Sequence, residues 1–187
     1  MQKIPDHAKV VFKGILHDTY QWEQVLFDGT TTTFEAIYRR PGLTVLAVTE
    51  DKKIIVNFET QPNTAAFYTF PGGNSETRDF LDCAKRELLE ETGYASESWV
   101  TWMTTDPLHY VCMEWQNIFF IAKNCKKVTE QSLEAGEQIQ VSLLSFEEFI
   151  EITQRKDFRN KEISSLIEGI KNDQEKLEVF RKEIFGE

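Results

Sequence analysis

The chain is short of several things, and each shortage removes a class of function. Its three cysteines, Cys83, Cys112 and Cys125, have the spacing of neither a disulfide framework nor a metal-binding quartet. They read as idle thiols of a reducing, cytoplasmic setting. The three histidines, His7, His17 and His109, are isolated and read as surface residues rather than catalytic ones. No apolar run approaches the roughly 18 residues of a membrane span. Met1 to Val11 carries charges and a proline where a secretory signal would have an apolar core. Glycine and proline are too sparse to form a linker and no segment repeats, so 1–187 is expected to be one domain. Positive charge is also scarce: Lys and Arg number 21 against 31 Asp and Glu, a net charge of -10. That balance argues against general nucleic-acid binding. An anionic substrate would need metal ions to neutralise the acids, with Arg39, Arg40 or Arg78 helping locally.

What is present is an ordinary globular composition and one informative stretch, Phe70 to Tyr94, FPGGNSETRDFLDCAKRELLEETGY. A loop opens on Pro71-Gly72-Gly73, an amphipathic helix follows, and Gly93 stops it. At about 100° per residue, Glu87, Glu90 and Glu91 share one arc of that helix, and Leu81, Ala84 and Leu88 a neighbouring one. Three acids at this spacing repel by only a few tenths of a kcal/mol per pair, so a solvated acidic stripe is the bland reading. The alternative is a carboxylate cluster holding Mg²⁺ or Mn²⁺ against a phosphate-bearing ligand, with the glycines permitting close backbone approach.

These residues resemble the Nudix box, G-x5-E-x7-R-E-U-x-E-E-x-G-U with U a bulky apolar residue. Gly73 matches the opening glycine, and Arg86, Glu87, Leu88, Glu90, Glu91, Gly93 and Tyr94 match the back half. The interval from Gly73 to Arg86, twelve residues, is one shorter than the pattern's. Counted from the glycine, Glu76 takes a common family glutamate and Asp79 takes the first required one. Counted back from Arg86, the required position falls on Arg78, and Asp79 becomes the helix N-cap. The second register is favoured, because a loop absorbs a deletion more cheaply than a helix whose face must be kept.

The resemblance implies an α/β Nudix sandwich with a mixed sheet, the box helix on one face and C-terminal helices on the other. A β-rich extension, residues 1–40, would precede a core of 41–187. It also implies hydrolysis of a nucleoside diphosphate linked to another group, ADP-ribose or a nucleotide sugar by first choice. Glu87, Glu90 and Glu91 would hold Mg²⁺ or Mn²⁺, Arg86 would orient Glu87, and Gly72 and Gly73 would shape the phosphate loop. Glu137, with Glu134 second, matches the late-loop acid that assists the attacking water. The other reading is a Nudix-fold nucleotide sensor or interaction module whose shortened loop has lost catalysis.

The remaining pattern is consistent with this. Val10–Phe12, Gly14–Leu16, Trp22–Phe27 and Thr32–Tyr38 read as antiparallel strands with a turn at Asp28-Gly29. The resemblance links this sheet to subunit pairing, hence an expected homodimer. Arg39 is a candidate phosphate contact, and Trp22 either stacks on a base or is a core residue. Leu43–Val48 reads as a strand buried on both faces, with Lys53–Thr60 as its partner. Trp99–Thr105 and Trp115–Ala122 are further strands. Pro107 and Tyr110, thirteen and sixteen residues beyond Tyr94, point to different substrate branches. Ser145 with Glu148 reads as a capping box, and Ile163 to Ile184 recur at helical spacing.

Overall fold

The computed structural model describes residues 4–105 and 112–186. The proline and tyrosine cues at Pro107 and Tyr110, and His109, lie outside them. In chain order come β1 (Lys9–Lys13), β2 (His17–Val25), β3 (Thr31–Arg39), β4 (Gly42–Thr49), β5 (Ile54–Thr60) and β6 (Phe67–Thr69). Then follow α1 (Phe80–Thr92), β7 (Tyr94–Ala95), β8 (Ser98–Thr105), β9 (Met113–Glu114), β10 (Asn117–Lys127) and β11 (Gln138–Leu144). The chain closes with α2 (Phe146–Thr153), α3 (Lys161–Ile170) and α4 (Gln174–Phe185).

Among the described residues, the larger sheet runs β11-β5-β4-β10-β7, with β6 paired to β5 and β8 to β10. It is mixed: β4 and β10 are parallel, and the other pairings are antiparallel. Both faces are covered, so its central strand is predominantly apolar and every residue of β4 is buried, Thr44 and Thr49 included. Leu43, Val45 and Ala47 meet Ala84 and Leu88 of α1, while Leu46 and Val48 meet Phe149, Ile163, Ile167, Phe180 and Ile184 of the C-terminal helices. The expected three-layer sandwich is therefore present, and the late helical periodicity resolves into α3 and α4 packed on the sheet.

The extension forms the smaller sheet β1-β2-β3-β9. Its first three strands are antiparallel as read, and β9 adds a two-residue parallel pairing to β3. Gly14–Leu16 is a connection rather than a strand, since Gly14 N–H donates to His17 O at 3.1 Å and closes the turn. β5 also departs from expectation, pairing with β4 only at Val48 and Ile54 before swinging to β11 and β6. The glycine loop takes the vacated edge: Val45 N–H donates to Pro71 O and Leu43 N–H to Gly73 O, both at 2.8 Å.

Candidate functional site

The helix α1 starts where its cap allows. The Asp79 side chain accepts the Asp82 N–H at 3.0 Å, which places Asp79 at the N-cap and Arg78 in the loop before it. Gly93 ends the helix at a φ of 71°, its N–H donating to Leu89 O. Between these ends the three acids fall at graded depth. Glu91 is 5% exposed, the Glu87 side chain 17% and the Glu90 side chain 40%.

Glu91 Oε2 accepts hydrogen bonds from Asn57 Nδ2 at 2.9 Å and from the Gly72 N–H at 3.1 Å. Arg86 spans three acids, with Glu76 and Glu90 each at 3.2 Å and Glu87 at 3.4 Å. The Glu87 carboxyl lies against Gly73, where a Cβ would sit 2.8 Å from it. Gly72 is tighter still, since a Cβ would stand 2.0 Å from Leu43 O.

A distant loop completes the site. Ser132 N–H donates to Glu90 O at 2.8 Å, and Gln131 Nε2 bridges Glu91 O and Ile139 O at 2.6 and 3.1 Å. Pinned to the end of α1 in this way, the loop brings Glu134 and Glu137 into one cavity of about 350 Å³ with Gly72, Gly73, Glu87, Glu90 and Glu91. Burial pushes the Glu87 carboxyl up to about 7, with Arg86 opposing and Glu90 and Glu137 adding to the rise. Burial likewise holds Glu91 well above the usual carboxylate range, against the Gly72 N–H and with Glu87, Glu59 and Glu137 reinforcing it. Glu137 is raised by its partial burial, and then by Glu134 and Glu59.

Among the described residues no three His, Cys, Asp or Glu side chains close into a metal-binding geometry. Each acid is instead held by protein partners, Glu91 by Asn57 and Gly72, Glu87 and Glu90 by Arg86. The donor set nevertheless fits a hard divalent cation. It consists of carboxylate oxygens whose burial and mutual repulsion Arg86, Asn57 and Gly72 offset only in part, beside a tight glycine cradle.

A second cavity, of about 400 Å³, shares Gly72, Gly73, Glu91 and Glu137 and continues to Glu59, Thr44, Asn117 and Arg159. Sequence reasoning missed Asn57 and Glu59, buried on β5. Their signal was two polar residues two apart in an apolar strand, which puts both on one face. Arg39 reaches this second cavity, its guanidinium 5.2 Å from the Trp115 ring and its Nη2 3.4 Å from Asn74 Oδ1. Trp22 is not brought to the site. It is 5% exposed, packs on Phe34 at 6.0 Å, donates to Gln24 Oε1, and lines neither of these two cavities.

The NUDIX domain family matches residues 38–166, and the chain is a member of that family. No curated protein matches the chain by sequence. Among solved structures, one described as an ADP compounds hydrolase is similar with a TM-score of 0.69 and 13% identity, covering 89% of this chain and 91% of that one. A structure of MutT from Aliivibrio salmonicida and Vibrio cholerae matches with a TM-score of 0.47 and 16% identity, over 59% of this chain and 82% of that one.

Proposed function

We propose that the protein hydrolyses a nucleoside diphosphate joined to a second group, ADP-ribose or a nucleotide sugar by first choice, with Mg²⁺ or Mn²⁺. The observation that carries this is the convergence of Glu87, Glu90 and Glu91, the Gly72-Gly73 turn and Glu137 in one cavity. That the structurally similar hydrolase is described as acting on ADP compounds accords with it.

In this reading Glu87, Glu90 and Glu91 hold the divalent cation, which supplies charge neutralisation and polarises phosphoryl oxygens when bound. Arg86 positions Glu87, and Gly72 and Gly73 let the diphosphate approach the backbone. Glu137 accepts a proton from water as the water oxygen bonds to phosphorus and the bond to the bridging oxygen breaks. The products are a nucleoside monophosphate and the phosphorylated second group. Partial burial, which raises its pKa, makes Glu137 a stronger base than an ordinary glutamate. Glu134 is the second candidate for that role, and its backbone N–H donates to Glu137 Oε2 at 3.3 Å, which moderates the rise.

A cytoplasmic homodimer is part of the same proposal. Free Cys83, Cys112 and Cys125 suit that compartment, and no helix among the described residues is long and apolar enough to cross a membrane. Val10, Val11 and Phe12, exposed on the edge strand β1, suit pairing with a second copy.

The test is incubation with Mg²⁺ and a panel of ADP-ribose, nucleotide sugars, dinucleoside polyphosphates and nucleoside triphosphates. Release of a nucleoside monophosphate from the diphosphate-linked members, abolished by EDTA, is expected. Thermal stabilisation by a nucleotide with no product from any of them identifies a sensor and refutes the hydrolase.

A further inference from the structure

A cavity of about 630 Å³ lies between the end of β3, the loop before α1 and the segment leading into β10. Its charge runs against that of the chain. Arg40 and Arg78 line it, both exposed, and neither has an ion pair or hydrogen bond among the described residues. The acids beside them are engaged elsewhere: Glu76 pairs with Arg86 at 3.2 Å, and Glu114 accepts the Ile4 N–H at 2.9 Å. Tyr38, Phe80 and Trp115 supply aromatic walls, with Arg39 already lying over Trp115. The volume is within the range of small-ligand pockets.

Position in the box explains how this surplus arose. With Asp79 capping α1, Arg78 stands where the Nudix pattern has its first glutamate, so an acid is replaced by a base that faces the neighbouring cavity. Glu76 meanwhile reaches Arg86 from within the shortened loop. Arg40 and Glu76 line both this cavity and the carboxylate cavity, so the two adjoin there. A cleaved diphosphate is accounted for by the carboxylate cavity and its cation. The unpaired guanidinium of Arg78 beyond it, with that of Arg40 at the boundary between the two cavities, calls for a further anion, and guanidinium forks suit phosphate oxygens.

We propose that this cavity is a second anion seat, in which Arg40 and Arg78 take a phosphate carried by the substrate in addition to the diphosphate that is cleaved, with Tyr38, Phe80 and Trp115 beside its base. The inference rests on the diphosphate reading above and narrows it to nucleotides phosphorylated on the nucleoside side. Because both arginines are exposed and unpartnered, replacing them leaves the fold intact.

Binding is measured by calorimetry in EDTA, so that no turnover intervenes, with AMP, adenosine 2′,5′-bisphosphate and adenosine 3′,5′-bisphosphate as probes. At least one bisphosphate is expected to bind tenfold or more tightly than AMP. In an Arg40→Ala, Arg78→Ala double variant with unchanged melting temperature, that preference falls to within twofold. Equal binding of AMP and both bisphosphates, or a preference that survives the double substitution, overturns the proposal. Absence of any preference in the wild type, with turnover of diphosphate substrates observed, refutes this seat alone, whereas a preference without any turnover sustains the seat and refutes the hydrolase.

Discussion

Glu91→Gln is expected to lower turnover of the best diphosphate substrate by on the order of 10²–10³-fold, a loss of several kcal/mol of transition-state stabilisation. The same change should stabilise the metal-free protein at and above neutral pH. The substitution is nearly isosteric: an amide oxygen can accept from Asn57 Nδ2 and Gly72 N–H as Glu91 Oε2 does. The new amide N–H also offers a donor to Asn57 Oδ1, a buried acceptor that has no partner among the described residues.

The sign of the pH effect follows from raised carboxyl pKa values. A glutamate whose folded pKa lies above its unfolded value near 4.5 stabilises the fold below that value, and the contribution is lost as pH rises through the folded pKa. For Glu87 the window runs from 4.5 to about 7, and for Glu91 it extends upward from the same starting point. Metal-free wild type should therefore lose melting temperature from pH 5 to pH 8, and Glu91→Gln should lose less. Each kcal/mol is worth about 2–4 °C in a protein of this size. Turnover that persists within tenfold of wild type, or a variant melting lower than wild type at pH 8, contradicts the role given to Glu91.

The adjacent glycines should fail differently. Gly72 has a φ of 152° and faces Leu43 O, which a Cβ would approach to 2.0 Å. Since that oxygen is backbone of the buried strand β4, relief requires moving the sheet. Gly72→Ala should cost on the order of 3 kcal/mol or more, combining backbone strain with overpacking. At Gly73 the obstruction is the carboxyl end of Glu87, 2.8 Å from the added carbon, and a side chain can swing away. Gly73→Ala should therefore leave the melting temperature within about 2 °C while reducing kcat/KM roughly 10- to 100-fold, the usual cost of disturbing a ligand's support. Circular-dichroism melts beside initial rates separate the two, and equal melting temperatures for both variants would contradict the geometry.

Much of this was legible in the chain. The apolar arc of α1, the Asp79 and Ser145 caps and the all-buried β4 follow from periodicity and local hydrogen bonding, and they are found where expected. Less was legible where distant segments compete. Nothing local to Lys53–Thr60 says that the edge of β4 is taken by Pro71 and Gly73, so the pairing of β5 with β4 is present but shorter than the two apolar runs suggest. Asn57 and Glu59 are not legible locally for the same reason, because their value depends on Glu91 of α1 reaching Asn57 and sharing a cavity with Glu59. The carboxylate arc was visible as a stripe, but its gradation from buried Glu91 to half-exposed Glu90 belongs to packing. The extra cation at Arg78 could be counted from the box, whereas the cavity it faces required the extension sheet to be in place.

The central claim is that Glu87, Glu90 and Glu91 gather divalent cations against the Gly72-Gly73 turn. Crystals grown with Mn²⁺ and a non-hydrolysable diphosphate analogue, measured at the manganese edge, test it without reference to rate. Anomalous peaks are predicted within about 2.0–2.5 Å of carboxylate oxygens of these three residues, with the analogue on the same ions. Manganese found only elsewhere, with Glu91 still bound to Asn57 and Glu87 still paired to Arg86, would contradict it.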